Sequence, residues 1–300
     1  MLPDALLAAV RDALDRAGDG TPLLSTNPVA GGCISSAVHL RTSRKSYFLK
    51  WDPRPLPGLF RCEAAGLSLL RETHTVRIPE LVGFADGQGS SPGYLLLEWI
   101  EPGRADHELT YKALGKDIAR LHKSAGPAYG LGAHNYVGSS VQKGGWDSDW
   151  AQFYRERRLA PQIETAARAG LLPATLRVQL ETITSNLDRW LGGIERQPAL
   201  VHGDLWSGNV LCGPAGQPFL IDPAVYYADR EVEIAYTHLF GSFPAEFYEA
   251  YQVEWPLPDG WQKRVPLYNL YHLLNHLNIF GRSYLGHVED AARRCLGEGV

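Results

Sequence analysis

Leu6, Val10, Leu14 and Ala17 recur at helical spacing near the start of the chain, with Asp4, Arg11, Asp12, Asp15 and Arg16 between them and Gly-Asp-Gly closing the segment. The interspersed charges and the lack of a basic lead-in predict a surface amphipathic helix rather than a targeting segment. Residues 28–52 then read as strand-rich. "PVAGGCISSAVHLRTS" sets a Gly-Gly pair before an alternating segment, and "KSYFLKW" is a second apolar run ending in Lys50. Residues 59–72, "LFRCEAAGLSLLRE", return to helical spacing. "YLLLEWIEPG" reads as a buried strand stopped by Pro102-Gly103.

Beyond that stop the pattern turns helical. Leu114, Ile118 and Leu121 form the stripe of a helix over about 110–124, and 148–170, 174–195, 244–253 and 265–284 read the same way. One island of short strands interrupts them, around "ALVHGDLWSGNVL" at 199–211. The pattern predicts an α+β bilobal chain, with a small β-rich lobe over 1–100 and a larger, mostly helical lobe over 101–300. No internal repeat and no low-complexity tract appears.

Composition narrows the function classes. With 45% hydrophobic residues among 300, the chain can bury a substantial core. A net charge of −4 and the absence of any basic run argue against nucleic acid or an anionic membrane surface as partner. No stretch approaches a membrane span. The four cysteines, Cys33, Cys62, Cys212 and Cys295, are scattered without CxxC or zinc-like spacing, which suits a reducing cytoplasm.

The chemistry gathers at 199–222. An apolar run enters His-Gly-Asp, Asn209 follows Asp204 by five positions, and "VLCGPAGQPFLID" reads as two short strands around a tight turn ending in Asp222. Such a hairpin returns Asp222 toward Asn209. A carboxylate and a carboxamide oxygen there suit a hard cation such as Mg²⁺, leaving Asp204 for a substrate. Phosphoryl transfer in kinases uses this set: a catalytic-loop Asp, four residues, an Asn, then a second Asp, with a strand Lys on the phosphates. Here the loop reads D-LWSG-N. Upstream, Gly31 and Gly32 supply a glycine turn, Lys50 the strand lysine, Glu63 its helix partner, and Glu98, Trp99 and Ile100 occupy the position of a nucleotide hinge. Each part alone is commonplace; their order and spacing together are not.

Over nearly its whole length the sequence resembles the fructosamine kinase (ketosamine kinase) family, relatives of aminoglycoside phosphotransferases and choline kinases within the protein-kinase-like fold. The resemblance rests on "GGCIS", "YFLKW", "HNYVGSSVQ", "WDSDWAQFYRERRLAPQ", "HGDLWSGN" with "IDPA", "ADREVEIAYTHLFGSFPAEFYEAY" and "LYNLYHLLNHLNIFGRSY". It implies an ATP-dependent kinase acting on a sugar hydroxyl of a ketosamine, a deglycation activity. By the same resemblance Asp204 is the proton acceptor, Asn209 and Asp222 hold the metal, Lys50 meets the phosphates, and Glu98, Trp99 and Ile100 line the hinge. "DPA" stands where protein kinases have "DFG", so no flipping Phe is expected.

Further expectations concern specificity and control. Trp206 is placed to wall the sugar pocket or to pack the lobe. Among Asp229, Glu231 and Glu233, one carboxylate is expected to meet the protonated amine of a ketosamine, against the alternative of acids at a helix N-terminus. Cys33, within the phosphate loop, is a redox candidate. His122 and His202 are expected to be structural, the latter anchoring the catalytic loop. The partners predicted are a small ketosamine or glycated amine, with the chain a monomer or homodimer. The competing readings are an aminoglycoside- or choline-type kinase and a nucleotide-binding pseudokinase, the latter opposed by intact Lys50, Asp204, Asn209 and Asp222.

Overall fold

The computed structural model describes residues 2–29, 35–89, 91–103 and 107–297, so the expectations for Gly31, Gly32 and Cys33 lie outside the described residues. By its contacts the chain divides into a first unit, Met1–Thr110 with Val210–Pro223, and a second, Tyr111–Asn209 with Ala224–Val300.

The first unit is built on an antiparallel sheet of β1 (Leu23–Pro28), β2 (Ser36–Thr42), β3 (Ser46–Asp52), β4 (Leu81–Ala85) and β5 (Gly93–Glu98), in the order β1-β2-β3-β5-β4. Helix α1 (Asp4–Arg16) buries Leu6, Val10, Ala13 and Leu14 against Val38, Leu40, Tyr47, Leu49 and Leu96 of the sheet. Burial of each such side chain contributes roughly 1.5–3 kcal/mol. Successive strand residues point to opposite faces. With Tyr47 and Leu49 committed to α1, Lys50 is sent to the other face, which carries helix α2 (Leu59–Glu72). Lys50 sits mid-sheet, opposite Ala37 on β2 and Leu95 on β5.

The first unit extends past residue 100 because the later hairpin rejoins it. Val210–Cys212 and Pro218–Leu220 pair antiparallel. The Leu220 amide donates to the Arg77 carbonyl at 2.9 Å, the Gly103 amide to Cys212 at 2.9 Å, and the Thr110 hydroxyl to the Gly216 carbonyl at 2.8 Å. These long-range bonds group Gly103, Thr110 and the hairpin with the sheet rather than with the helical unit, a division that linear patterning does not reveal.

In the second unit the helices Ala160–Arg168, Ala174–Ser185, Val265–Phe280 and Leu285–Leu296 enclose one apolar core with Trp150, Phe153, Tyr154 and Tyr268. The strands are more numerous than the single expected island. Ala199–Val201, Tyr226–Ala228, Tyr129–Leu131 and Gly145–Asp147 form a four-stranded sheet in that order, and Asn135–Val137 pairs with Ser140–Gln142. Each of these strands is three residues long, too short for an alternation signal.

The helical expectations differ from the structure in detail. The helix expected over 174–195 breaks after Ser185 and resumes as Asp188–Leu191. That over 265–284 ends at Phe280, where Gly281 takes φ 81°. The stretch at 148–170 starts at Trp150, capped by Asp149 Oδ1 accepting the Gln152 amide at 2.6 Å, and passes through a π-helical turn at Tyr154–Leu159. Within that turn Arg158 is buried over the Tyr226 ring, 4.1 Å from its centroid, and donates to the Lys143 carbonyl at 3.0 Å. Among the described residues no helix is long and apolar enough to cross a membrane.

Candidate active site

In the first unit three charged side chains converge. Lys50 Nζ lies 3.0 and 2.9 Å from the two carboxylate oxygens of Glu63 and 3.0 Å from Asp222 Oδ1. Glu63 lies in the second turn of α2, which starts after Gly58 in the left-handed region at φ 75°. Asp222 follows the second hairpin strand and is itself left-handed, at φ 54°. That conformation is unfavourable for most residues, but an Asp adopts it more readily. Here it turns the carboxylate onto the lysine. Burial works against a charged Lys50, yet the fields of Asp222 and then Glu63 overcome it and hold the ammonium protonated well above its ordinary range. Glu63 is pushed up to about 7, chiefly by burial and next by the Asp222 charge, against the pull of Lys50. Two carboxylates on one ammonium leave a negative excess. Asp222, with 37% of its side chain exposed, is the member through which a cation can reach it.

The second unit carries the His-Gly-Asp loop, directly after the buried strand Ala199–Val201. His202 is buried, its carbonyl accepts the Ala224 amide at 2.8 Å, and its Nδ1 accepts the Asp204 amide at 3.3 Å, so it anchors the loop. Gly203 has φ 84°, and a Cβ there would lie 2.0 Å from the Ala224 carbonyl oxygen. Only glycine permits that approach. Leu205 is buried while Trp206 remains 37% exposed, its indole folded over Gly208. Trp206 therefore does not pack the core. Asn209 donates through Nδ2 to the Asp204 carbonyl at 2.8 Å and to Asp204 Oδ2 at 3.1 Å. With the amide nitrogen so engaged, Asn209 Oδ1 is the atom suited to a hard cation.

The short helix Glu231–Thr237 is buried on every side, which changes the reading of its acids. Glu233 accepts the Gly203 amide at 2.7 Å through Oε1 and meets His122 Nε2 at 2.9 Å through Oε2; His122 Nδ1 lies 2.8 Å from the Tyr251 hydroxyl. These hydrogen bonds, that of His122 first, hold the Glu233 carboxyl below its ordinary range despite burial, which pushes the other way. Glu231 is gripped by Arg264, Nε to Oε2 at 2.6 Å and Nη2 to Oε1 at 2.8 Å. Asp229 accepts from Arg196 Nε and, at 2.6 Å, from the Tyr268 hydroxyl. The expectation that Glu231 or Glu233 reaches a substrate amine is therefore corrected: each is a buried carboxylate already matched to a cation or donor within the fold. An ion pair that continuum water does not reach cannot be traded cheaply for a ligand.

Tyr236 was not singled out in the sequence. It sits three residues after Glu233, on the same helix face, and its phenol lies within the field of Asp204; burial and then the Asp204 charge raise its pKa well above normal. The i, i+3 pair in "EVEIAYT" was the available signal, since it sets Tyr236 on the helix face whose Glu233 holds the Gly203 amide.

At the end of the first unit's β5, Glu98 Oε1 accepts the Glu80 amide at 2.9 Å, the Trp99 amide donates to Ser46 at 3.2 Å, and the Trp99 ring stacks on His39 at 4.1 Å. Ile100 follows, half-buried. This holds the expected hinge segment in register with the sheet.

Residues 8–298 match the family profile described as fructosamine kinase. A probable ketoamine kinase of Synechocystis sp. is 40% identical over 270 residues, covering 89% of each chain. The crystal structure of a Haemophilus somnus protein, assigned provisionally as a fructosamine-3-kinase, superposes with a TM-score of 0.87 at 26% identity, over 97% of this chain and 98% of that one. An aminoglycoside phosphotransferase in complex with AMP-PNP and hygromycin B is 16% identical, with a TM-score of 0.64 over 96% and 99% of the two chains; that likeness shows the protein-kinase-like fold alone.

Proposed function

The chain belongs to the fructosamine kinase family, and from that premise we propose that it transfers the γ-phosphoryl group of ATP to a sugar hydroxyl of a ketosamine. The observation that carries the reading is the Lys50 ammonium held between Glu63 and Asp222. Lys50 is the phosphate-binding cation, fixed by Glu63 so that its position costs little reorganisation when nucleotide arrives. We assign Glu98, Trp99 and Ile100 to the adenine hinge, and Gly31 and Gly32, outside the described residues, to the phosphates.

Asp204 orients the acceptor hydroxyl and takes its proton as the new phosphorus–oxygen bond forms. Asn209 donates to it and fixes its direction, with the Tyr236 phenol nearby. Glu233 and His202 hold the backbone on which it is mounted. Asn209 Oδ1 and Asp222 are the residues we assign to Mg²⁺, which when bound neutralises phosphate charge and orients the leaving group. Their oxygen-only donor set fits a hard cation, and the negative excess around Lys50 calls for one. Trp206, exposed and next but one to Asp204, presents an aromatic face to the sugar.

The test is ATP turnover with Mg²⁺ against fructose-, ribulose- and erythrulose-linked lysine, with choline and kanamycin as controls. Turnover confined to the ketosamines is expected. Turnover of a control alone would replace the substrate assignment, and no turnover of any would return the chain to a nucleotide-binding role.

A further inference from the structure

With Asp229, Glu231 and Glu233 each engaged inside the fold, the charged nitrogen that distinguishes a ketosamine from a plain ketose must be met by something else. We propose that Phe240, His276, Phe280 and Tyr284 form the subsite for the amine arm of the ketosamine, receiving its protonated secondary amine and the first methylenes beyond it. This rests on the reading of Asp204 given above.

The four rings lie in the second unit and surround one another closely. The His276 ring is 4.7 Å from Phe240, 5.0 Å from Tyr284 and 5.5 Å from Phe280; Phe280 and Tyr284 are 5.9 Å apart, and Phe240 stands edge-on to Tyr284 at 6.3 Å. The helix Val265–Phe280 is buried along most of its length, yet its last side chain, Phe280, is 45% exposed. Gly281, at φ 81°, turns the chain there, and Tyr284 follows in the next short helical turn. An aromatic group left open at such a corner offers π faces to a cation.

His276 adds a directional acceptor. Its Nδ1 lies 2.8 Å from the His272 carbonyl oxygen, which can only accept, so the proton is on Nδ1 and the lone pair is on Nε2. Burial holds this imidazole below its ordinary pKa, so it is neutral and does not repel a cation. The neighbouring cation, Arg282, is occupied with the Gly170 carbonyl at 3.1 Å. A secondary ammonium therefore finds aromatic faces and one nitrogen lone pair among these rings.

The cluster also lies next to the reacting carboxylate. Tyr236, whose phenol feels the Asp204 charge, stands edge-on to Phe240 with ring centroids 6.0 Å apart. In a ketosamine only C1 and C2 separate the amine nitrogen from the carbon bearing the 3-hydroxyl. A sugar whose hydroxyl engages Asp204 can thus send its amine arm along Tyr236 toward Phe240 and His276.

The experiment is titration calorimetry of the full chain with Nε-fructosyl-lysine and with free fructose, in the presence of AMP-PNP. Phe280→Leu keeps apolar bulk and removes the π face at an exposed position. His276→Phe keeps the ring and removes the lone pair. The expected result is tighter binding of fructosyl-lysine than of fructose by the wild type, with each variant losing about 3–10-fold for fructosyl-lysine and less than twofold for fructose. Equal losses for both ligands, no loss for either, or no wild-type preference for the amine would overturn the subsite. ATP turnover is read separately: selective binding lost in the variants, with no phosphoryl transfer by the wild type, would keep the subsite and sink the kinase reading.

Discussion

Gly203→Ala tests whether the loop geometry, rather than the side-chain inventory alone, makes Asp204 effective. An alanine Cβ at 203 would stand 2.0 Å from the Ala224 carbonyl oxygen and 2.6 Å from its carbon. Ordinary carbon–oxygen contact needs about 3.2 Å, so the two backbones must part by roughly 1 Å. The Ala224 carbonyl cannot simply yield, because Gln142 Nε2 donates to it at 2.9 Å and the Ala224 amide is tied to His202. The displacement therefore falls on the loop that carries Asp204. A misplacement of about 1 Å at a reacting group lowers turnover by about 10²-fold. The left-handed backbone adds about 1–2 kcal/mol of destabilisation for a residue with a Cβ. Gly170→Ala is the control: it shares a positive φ of 66° but has nothing within 4 Å of the added Cβ. Steady-state kinetics and thermal unfolding of both variants should show a comparable backbone cost, with the turnover loss confined to Gly203→Ala and the KM for ATP little changed. A Gly203→Ala enzyme with turnover within twofold of wild type would refute the close-approach argument.

Asp204→Asn should lower turnover by roughly 10²–10⁴-fold with folding intact, as judged by circular dichroism, because the acceptor of the hydroxyl proton is removed. Lys50→Met leaves Glu63 and Asp222 without their cation and should destabilise the chain by about 3 kcal/mol in urea unfolding; Lys50→Met with Glu63→Gln should recover part of that loss, giving a coupling energy of at least about 1 kcal/mol. Asp19 accepts from Thr21 at 2.5 Å, Tyr47 at 2.7 Å and Thr42 at 2.8 Å, and these bonds outweigh burial to lower its pKa from 3.8 to about 2. Its contribution is therefore complete above pH 3.8 and lost as pH falls through about 2, and Asp19→Asn should flatten that part of the pH–stability curve. Glu231→Gln should lower the melting temperature, through loss of the charged pair with Arg264, while leaving the preference for ketosamine over ketose unchanged; a lost preference would return Glu231 to the substrate site.

What the amino-acid order determined by itself is whatever short-range pattern encodes. The amphipathic stripes of α1 and α2, the strand that positions Lys50, and the D-LWSG-N spacing are local, and local steric and hydrophobic periodicity is enough to read them. The meeting of Lys50 with Glu63 followed from knowing that a strand and the next helix pack together. Three-residue strands at 129–147 carry too few positions for a period and exist only because partners distant in the chain supply their hydrogen bonds. The hairpin at 210–220 belongs to the first unit through bonds to Arg77 and Thr110, which no spacing encodes. The acids at 229–233 read either as a partner for a substrate amine or as acids at a helix N-terminus. Only packing shows that Arg196 and Arg264 pair with Asp229 and Glu231, and that His122 hydrogen-bonds Glu233, from three separate parts of the chain. A charge is identical in sequence whether it faces water or a buried partner. Desolvation and the partner's position, both tertiary quantities, decide whether it is left for a substrate or is held by the fold.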